Sequence, residues 1–421
     1  MDRTVSAASV TPAGDIVFVL KELFGREIGA SFLLFDCSAR PLVSVIIPAY
    51  NAAQFIGRTL ASATAQGYPH LEIIVVNDGS TDATGAIVDE WRARDPRIRV
   101  ITVPNGGVAR ARNLGIEASS APLVAFLDAD DLWHADKIKL QVDRFINSED
   151  EIGGCYTFHR EIDLDDNVII SGAKLSAEGY ILARHIVAKL VGNGSSLMVR
   201  RDVARALSGF DPSYADRGIG GCEDLDFELK LAASYRIGVV PFYLVGYRCY
   251  EGNMSSNPMR MARGMTATIQ AHLDANPSLP PLVRRYALAA AHDYCAWAGL
   301  RARRMSLVLA SVARVAVNEP ARSWRLTVAL LARVLAKSRL ALFGRSDTNP
   351  VLSHYLQLPA DAPEPFEDPL TLRRFARLAE ADHALLNHRQ PAVSADSSLS
   401  QFQPLPTATA QPAGSQMELS D

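Results

Sequence analysis

From Pro41 onward, short apolar runs alternate with amphipathic stretches. Residues 43–47 read as a strand buried on both faces, closed by Pro48. Ile56, Leu60 and Thr64 then recur at helical spacing between Gln54 and Gln66. Residues 71–76 form a second strand and 77–82 a turn, in which Ser80 or Thr81 is placed to cap the next helix. That helix turns Ile87 and Trp91 inward and ends near Asp95-Pro96. Residues 98–101 are a third strand, and Asn105-Gly106-Gly107 leads into a helix through Asn113 and Ile116. Residues 123–127 are the fourth strand, followed by a helix over 135–145. The alternation predicts an α/β domain with a mostly parallel sheet covered by helices on both faces. Ligands of such sheets sit outside the C-terminal strand ends. Tyr50, Asp78, Asn105 and Asp128 each follow a strand end, so the pattern converges them there.

The later chain is less periodic. Residues 155–158 and 168–170 look like strands joined through polar residues 163–167, and 196–199 is an apolar run before Arg200-Arg201. Residues 238–245 read as a strand in which Pro241 favours an edge or a bulge. From about Met259 the composition turns to Ala, Leu and Arg, and helices are expected over 284–304, 305–317 and 321–342 with a break at Pro320. Arg residues are frequent there, whereas Asp293 and Glu319 are the acids. Two readings of this region stand side by side: a bundle with Arg on its wet face, or a basic face lying on an anionic membrane. Residues 346–365 are a Pro-rich linker, 370–386 one more amphipathic helix, and the tail from Pro391 has the composition of a disordered segment. The expected division is an N-terminal extension over 1–40, a catalytic domain over 41–258, a basic helical region over 259–345, and linker, helix and tail over 346–421.

With 421 residues and 48% hydrophobic content, the chain can bury a sizeable core. A net charge of −3 does not suggest nucleic acid as partner. Cys37, Cys155, Cys222, Cys249 and Cys295 are odd in number and form no Cys-x-x-Cys pair, which fits reduced thiols in a cytoplasmic protein. The first residues lack a secretory-signal pattern, and no uncharged apolar run reaches the roughly 18 residues of a spanning helix.

Two segments carry the candidate chemistry. The fourth strand runs straight into Asp128-Ala129-Asp130-Asp131. If extended geometry persists, Asp128 and Asp130 point the same way. Such a pair suits Mg²⁺ or Mn²⁺ with a substrate phosphate completing the shell, the alternative being loop acids that cap the next helix. Downstream, Glu223-Asp224 offers a carboxylate able to take a proton from an attacking hydroxyl. Between them, Asn105-Gly106-Gly107 permits close backbone approach and Arg112 adds a positive charge, with Arg110 on another helix face.

Taken in order, the stretches 43–51, 75–82, 105–115, 126–133 and 221–229 resemble an inverting family 2 glycosyltransferase with the nucleotide-sugar-binding GT-A fold, over about residues 41–258. The resemblance implies a Rossmann-like sheet and transfer of one sugar from a nucleoside diphosphate donor to an acceptor hydroxyl with inversion. Pro48, Tyr50 and Asn51 would lie at the nucleobase and ribose. Asp78 would accept the base-edge N–H, which selects a UDP- or dTDP-linked donor. Asn105 and Arg112 would also serve the donor. Asp130 would hold the metal directly, Asp128 would touch the ribose or the metal shell, and Asp131 would support them. Asp224 would be the base, with Glu223 orienting it or touching the acceptor, while Asp226 and Glu228 read as solvated. The setting would be cell-surface polysaccharide or glycolipid synthesis, with a saccharide or lipid-linked acceptor, in the cytoplasm or peripheral at the inner face of the membrane. Tyr250 stands where many relatives carry His, and the Gln-x-x-Arg-Trp sequence of processive synthases is absent. A catalytically silent nucleotide-binding or scaffold protein is the alternative.

Overall fold

The computed structural model describes residues 40–172, 175–343, 353–363 and 368–386. The apolar runs near residues 16–20 and 31–35, Cys37 and the tail beyond Pro391 lie outside the described residues. One sheet gathers β1 (Val43–Ala49), β2 (Leu71–Asp78), β3 (Ile98–Val103), β4 (Leu123–Phe126), β5 (Leu132–Trp133), β6 (Gly154–Ile162), β7 (Val168–Ser171), β8 (Leu197–Arg200) and β9 (Ile237–Arg248). Its order is β3-β2-β1-β4-β8-β6-β9-β5, with β7 paired to β6. β3, β2, β1 and β4 are mutually parallel. β8 runs against β4 and β6, while β9 runs parallel to β6, so most strands share one direction.

The periodicity of β1 explains the layering. Val43, Val45 and Ile47 point to one face, where they meet α1 (Ile56–Thr64), α2 (Thr84–Arg94) and α4 (Lys137–Ile146). Ile46 points to the other face, with α3 (Val108–Ala118) and the larger core. That larger core includes α5 (Leu182–Ala188), α6 (Arg201–Ala206) and α8 (Glu223–Ser234), with the short α7 (Ser213–Asp216) before α8. It continues without interruption into α9 (Pro258–Ala275) and α10 (Pro281–Arg301) through Ile269, Leu273, Val283 and Ala287. α11 (Met305–Asn318) and α12 (Pro320–Phe343) add a smaller cluster, and α13 (Pro369–Leu386) packs Leu378 and Leu385 into the main core. Asp382 of α13 accepts the Ala183 amide at 2.6 Å and the Arg184 guanidinium at 2.7 Å, fastening this helix to α5.

Several local expectations change. Pro48 does not end β1, since it pairs with Val76 and Ala49 follows it in the ladder. The β4 pairing stops at Ile46, so at Pro48 the strand lacks a neighbour on that side and the missing N–H costs little. Neither Ser80 nor Thr81 caps α2; Asp82 accepts the Thr84 amide at 3.0 Å instead. Pro241 lies at a register shift where Thr157 pairs with Val240 but Phe158 pairs with Tyr243, the bulge its missing donor favours. Residues 353–363, read as linker from their prolines, dock on the sheet: Tyr355 is buried beside Leu132 and Ile162, and the Asp361 carbonyl accepts the Tyr243 amide at 3.0 Å.

The contact of α3 with β1 leaves no room for a side chain at Gly115. A Cβ there would meet Ile46 Cγ2 at 2.3 Å, and the β-branched Ile46 sits on a central strand. Gly115→Ala should cost about 1–3 kcal/mol despite the gain in helix propensity. Urea unfolding checks this, and an unchanged midpoint would refute the tight contact.

Candidate active site

A cavity of about 730 Å³ opens at the C-terminal ends of β1, β2 and β4. Pro48, Tyr50, Asn51, Asp78, Asn105, Arg112, Asp128, Asp130, Glu223 and Asp224 all line it, so every expected site residue reaches one space. Tyr50 is 52% exposed at the rim. Asn51 takes a positive φ of 48° and its Oδ1 accepts the Thr81 amide at 2.8 Å, tying the loop after β1 to the loop after β2.

Asp78 does more than its place in the chain suggested. Its two carboxylate oxygens accept the Gly106 amide at 2.9 Å and the Gly107 amide at 2.8 Å. Asn105 Nδ2 in turn donates to the Asp78 carbonyl at 3.1 Å. Gly79 makes the approach possible: its φ is +72°, and a Cβ there would stand 2.7 Å from the Asn105 nitrogen. Asp78 thus holds the glycine loop and keeps further lone pairs for a ligand.

β4 ends at Phe126, and residues 128–131 form a turn closed by the Asp131 amide on the Asp128 carbonyl at 3.1 Å. Strand alternation therefore does not aim Asp128 and Asp130; the turn does. Ser195, which sequence reasoning left without a role, holds both ends of that turn. Its hydroxyl donates to Asp131 Oδ2 at 2.6 Å and accepts the Asp128 amide at 3.0 Å. Asp131 also accepts the Arg248 amide at 2.9 Å. Arg248 is fully buried, donates from Nε to the Asp130 carbonyl at 2.7 Å and pairs with Asp166. The signal for Arg248 lay in the Tyr247-Arg248-Cys249-Tyr250 sequence, where attention fell on the last residue. Tyr250 bonds its hydroxyl to the Asp130 carboxyl. Burial and the charge of Asp128 push Asp130 up to about 6. Burial and the charges of Asp130 and Asp128 raise Asp131 well above the usual carboxylate range.

Arg112 joins the two carboxylate groups. It is buried, its Nη2 meets Asp128 Oδ1 at 2.5 Å, and its guanidinium lies over the Phe210 ring at 5.1 Å. Burial alone would lower its pKa, but the charges of Asp128, Glu223 and Asp224 outweigh it, and the group stays a cation. Its Nε and Nη1 are buried with no hydrogen-bond partner among the described residues. Arg110 is exposed, as its helix face requires.

Glu223 and Asp224 open α8. Glu223 Oε2 accepts the Gly221 amide at 2.6 Å. Burial and the charges of Glu228 and Glu223 raise Asp224 well above the ordinary carboxylate range, against the pull of Arg112. Asp226 and Glu228 are not solvated. Asp226 is buried against His272 at 2.9 Å and Lys230 at 2.7 Å. Glu228 is buried 3.2 Å from His185. The correction has a simple cause: α9 and α5 pack over α8 and cover positions that α8 alone would expose.

With this geometry in place, comparison with known proteins decides the family. Residues 44–201 match the model of "Glycosyl transferase family 2". They are a family 2 glycosyltransferase domain. Among the curated relatives, the chondroitin synthase of Pasteurella multocida is 37% identical over 133 residues, which are 31% of this chain and 14% of that protein. The putative teichuronic acid biosynthesis glycosyltransferase TuaG of Bacillus subtilis is 45% identical over 105 residues, 25% of this chain and 42% of its own. The chondroitin synthase of Escherichia coli is 33% identical over 214 residues, 50% of this chain and 29% of that protein. The family 2 domain thus aligns with less than half the length of each of these relatives. Among solved structures, S. aureus TarS 1-349 overlays with a TM-score of 0.43 at 16% identity, covering 66% of this chain and 92% of that one. The mannosyltransferase PcManGT from Pyrobaculum calidifontis, in complex with GDP-Man and Mn²⁺, overlays with a TM-score of 0.44 at 21% identity, covering 79% of this chain and 94% of that one.

The buried Glu228 of α8 should give the protein a pH-dependent stability. Burial pushes its pKa from 4.5 to about 8. Folding therefore favours the protonated form, and the stability this contributes is lost as pH rises between those two values. Glu228→Gln removes that slope. Its stability relative to the parent should climb across the same interval and level off above it, as read from melting temperatures in a pH series.

Proposed function

We propose that this domain transfers a single sugar from a nucleoside diphosphate donor to an acceptor hydroxyl, with inversion, for a cell-surface polysaccharide or glycolipid. The observation that carries the reading is the shared cavity: Asp128 and Asp130 stand at one part, Asp224 at another, and the Arg112 cation lies between them. Tyr50 and Asp78 suit a nucleobase, and Asp78 suits the N–H of uracil or thymine, favouring a UDP- or dTDP-linked donor. The unpartnered Nε and Nη1 of Arg112 suit diphosphate oxygens. The donor chemistry of the carboxylates fits a divalent cation: two hard oxygen ligands, Asp130 and Asp128, border one cavity, and the charge of Asp128 raises the cost of ionising Asp130. No cluster of three or more His, Cys, Asp or Glu able to hold a metal occurs among the described residues, so donor oxygens and water would fill the remaining positions. Bound Mg²⁺ or Mn²⁺ would supply positive charge to the departing diphosphate.

Asp224 is the base of this proposal. A carboxylate whose pKa is raised by burial and neighbouring acids takes a hydroxyl proton more readily than an ordinary one. Its place in the first turn of α8, on a different element from Asp128 and Asp130, suits a base that serves the acceptor. Glu223, fixed by the Gly221 amide, borders the acceptor. Tyr250, in the place of the His of many relatives, orients Asp130 through its hydroxyl. The curated relatives named as polysaccharide synthases and as a teichuronic acid glycosyltransferase support the setting.

Asp224→Asn should reduce transfer by roughly 10²–10⁴-fold while nucleoside diphosphate still binds, because a base is removed and a donor site is not. Metal-dependent release of nucleoside diphosphate from a panel of nucleotide sugars reads both quantities. Full activity of the variant would remove Asp224 from the role, and no release from any donor would leave the silent-scaffold alternative. In the parent, the rate should fall as pH drops through the raised pKa of Asp224.

The proposed setting includes an anionic membrane surface, met by α11 and α12. No helix among the described residues is long and apolar enough to cross a membrane. Trp324, Val328, Leu331 and Leu335 form a stripe along α12 at spacings of one helical turn, and Trp324 and Leu335 are 72% and 68% exposed. Arg301, Arg303, Arg304, Arg314 and Arg333 are exposed over α10 to α12 and the turn between α10 and α11, whereas Glu319 is tied to Arg374 at 3.3 Å. Each Arg near an anionic surface contributes about 1 kcal/mol. The chain should co-sediment with phosphatidylglycerol vesicles in a salt-sensitive way, and Trp324→Ser with Leu335→Ser should abolish it. A concentration-dependent dimer without vesicle binding would assign the stripe to a second copy instead.

A further inference from the structure

Past Glu223 and Asp224, the cavity is bounded by Lys189, Cys222, Arg260, Met261 and Met265. Lys189 caps the C-terminus of α5 in the left-handed conformation, φ 51°, with its amide on the His185 carbonyl at 2.8 Å. A lysine tolerates that backbone only at a cost, so the position points its side chain where another φ would not. Its Nζ lies 4.8 Å from the centre of the Tyr294 ring, and no carboxylate lies within 4.0 Å of it among the described residues. Arg260, near the start of α9, donates from Nη2 to the Met254 carbonyl at 2.9 Å, while its Nε is buried without an acceptor. Both cations act electrostatically on the Cys222 thiol, so they converge beside the residue that precedes Glu223-Asp224. Those two carboxylates are balanced by Arg112 on their other side. Two cations with free donors thus border the place where an acceptor must lie if Asp224 takes its proton. Both are partly buried, and a partly buried cation with no carboxylate in contact is relieved by a ligand anion.

We infer that Lys189 and Arg260 form an anion subsite for the acceptor, which therefore carries a carboxylate or a phosphate near the hydroxyl that is glycosylated. The inference rests on the proposed transfer reaction for its meaning. The two sources of such an anion are a uronate residue of a glycan and the phosphate of a lipid carrier or headgroup. Arg260 uses its fork and Lys189 its point charge, a combination that suits either.

Calorimetric titration of the whole protein with glucuronate, inorganic phosphate and glucose tests the subsite without catalysis. At least one anion should bind at least tenfold more tightly than glucose. Tighter glucuronate assigns a uronate acceptor, and tighter phosphate a phosphorylated one. Lys189→Met and Arg260→Gln should each remove the preference, and Lys189→Arg should restore most of it. In transfer assays with acceptors matched except for the anion, the parent should favour the anionic member at least tenfold in kcat/KM, mainly through KM, and the ratio should fall toward one in both variants. If Lys189→Met does not fold, Arg260→Gln carries the same test. Equal binding of glucose and both anions, or a preference that survives in both variants, overturns the subsite. If anion preference holds but no nucleotide sugar releases its diphosphate, the proposed reaction falls and the subsite stands.

Discussion

The site depends on one cation among many carboxylates. Asp128, Glu223 and Asp224 all bear on Arg112, and Glu228 lies in its field as well. The Arg112 charge lowers the cost that burial imposes on Asp224 and Glu228. With it, carboxylates from the end of β4 and the start of α8 share one cavity although they stand far apart in the chain. The position is guarded sterically. A Cβ at Gly194 would press on the Arg112 guanidinium at 3.1 Å, and Phe210 lies beneath it. Arg112 also retains unpartnered N–H groups, so it can bind a ligand anion while it steadies the protein's own charges.

A second layer of polar residues orients the first. Asp78 spends hydrogen bonds on a glycine loop, Ser195 spans the Asp128–Asp131 turn, and Arg248 closes it from below. Each satisfies groups that would be expensive if buried alone. The result is a densely hydrogen-bonded half of the cavity at the strand ends. The other half, around α8 and α9, is bordered by helix starts and by Met254, Met261 and Met265, side chains that adapt to varied shapes.

Much of this was legible from spacing. Strand-end positions Tyr50, Asp78, Asn105 and Asp128 meet because a parallel arrangement brings strand ends to one edge, and the period of the apolar runs announces that arrangement. Pro241 announced its bulge because a missing donor has one consequence wherever it falls. The misread positions share a cause as well. Asp226 and Glu228 look solvated on α8 alone; only α9 and α5, which bring His272 and His185, make them buried. Residues 353–363 look like a linker until Tyr355 is seen between Leu132 and Ile162.

By itself, then, the sequence determined the kind and order of elements, the family of the domain and the identity of the residues that reach the cavity, because hydrophobic period and turn chemistry act locally. Tertiary structure alone decided which charges face one another. Arg112 meets Asp128, Ser195 meets Asp131, and Lys189 and Arg260 come to border one space across long stretches of chain. The physical reason is that a charge's role depends on its distance from other charges and from water, and neither distance is written in the local pattern of the chain.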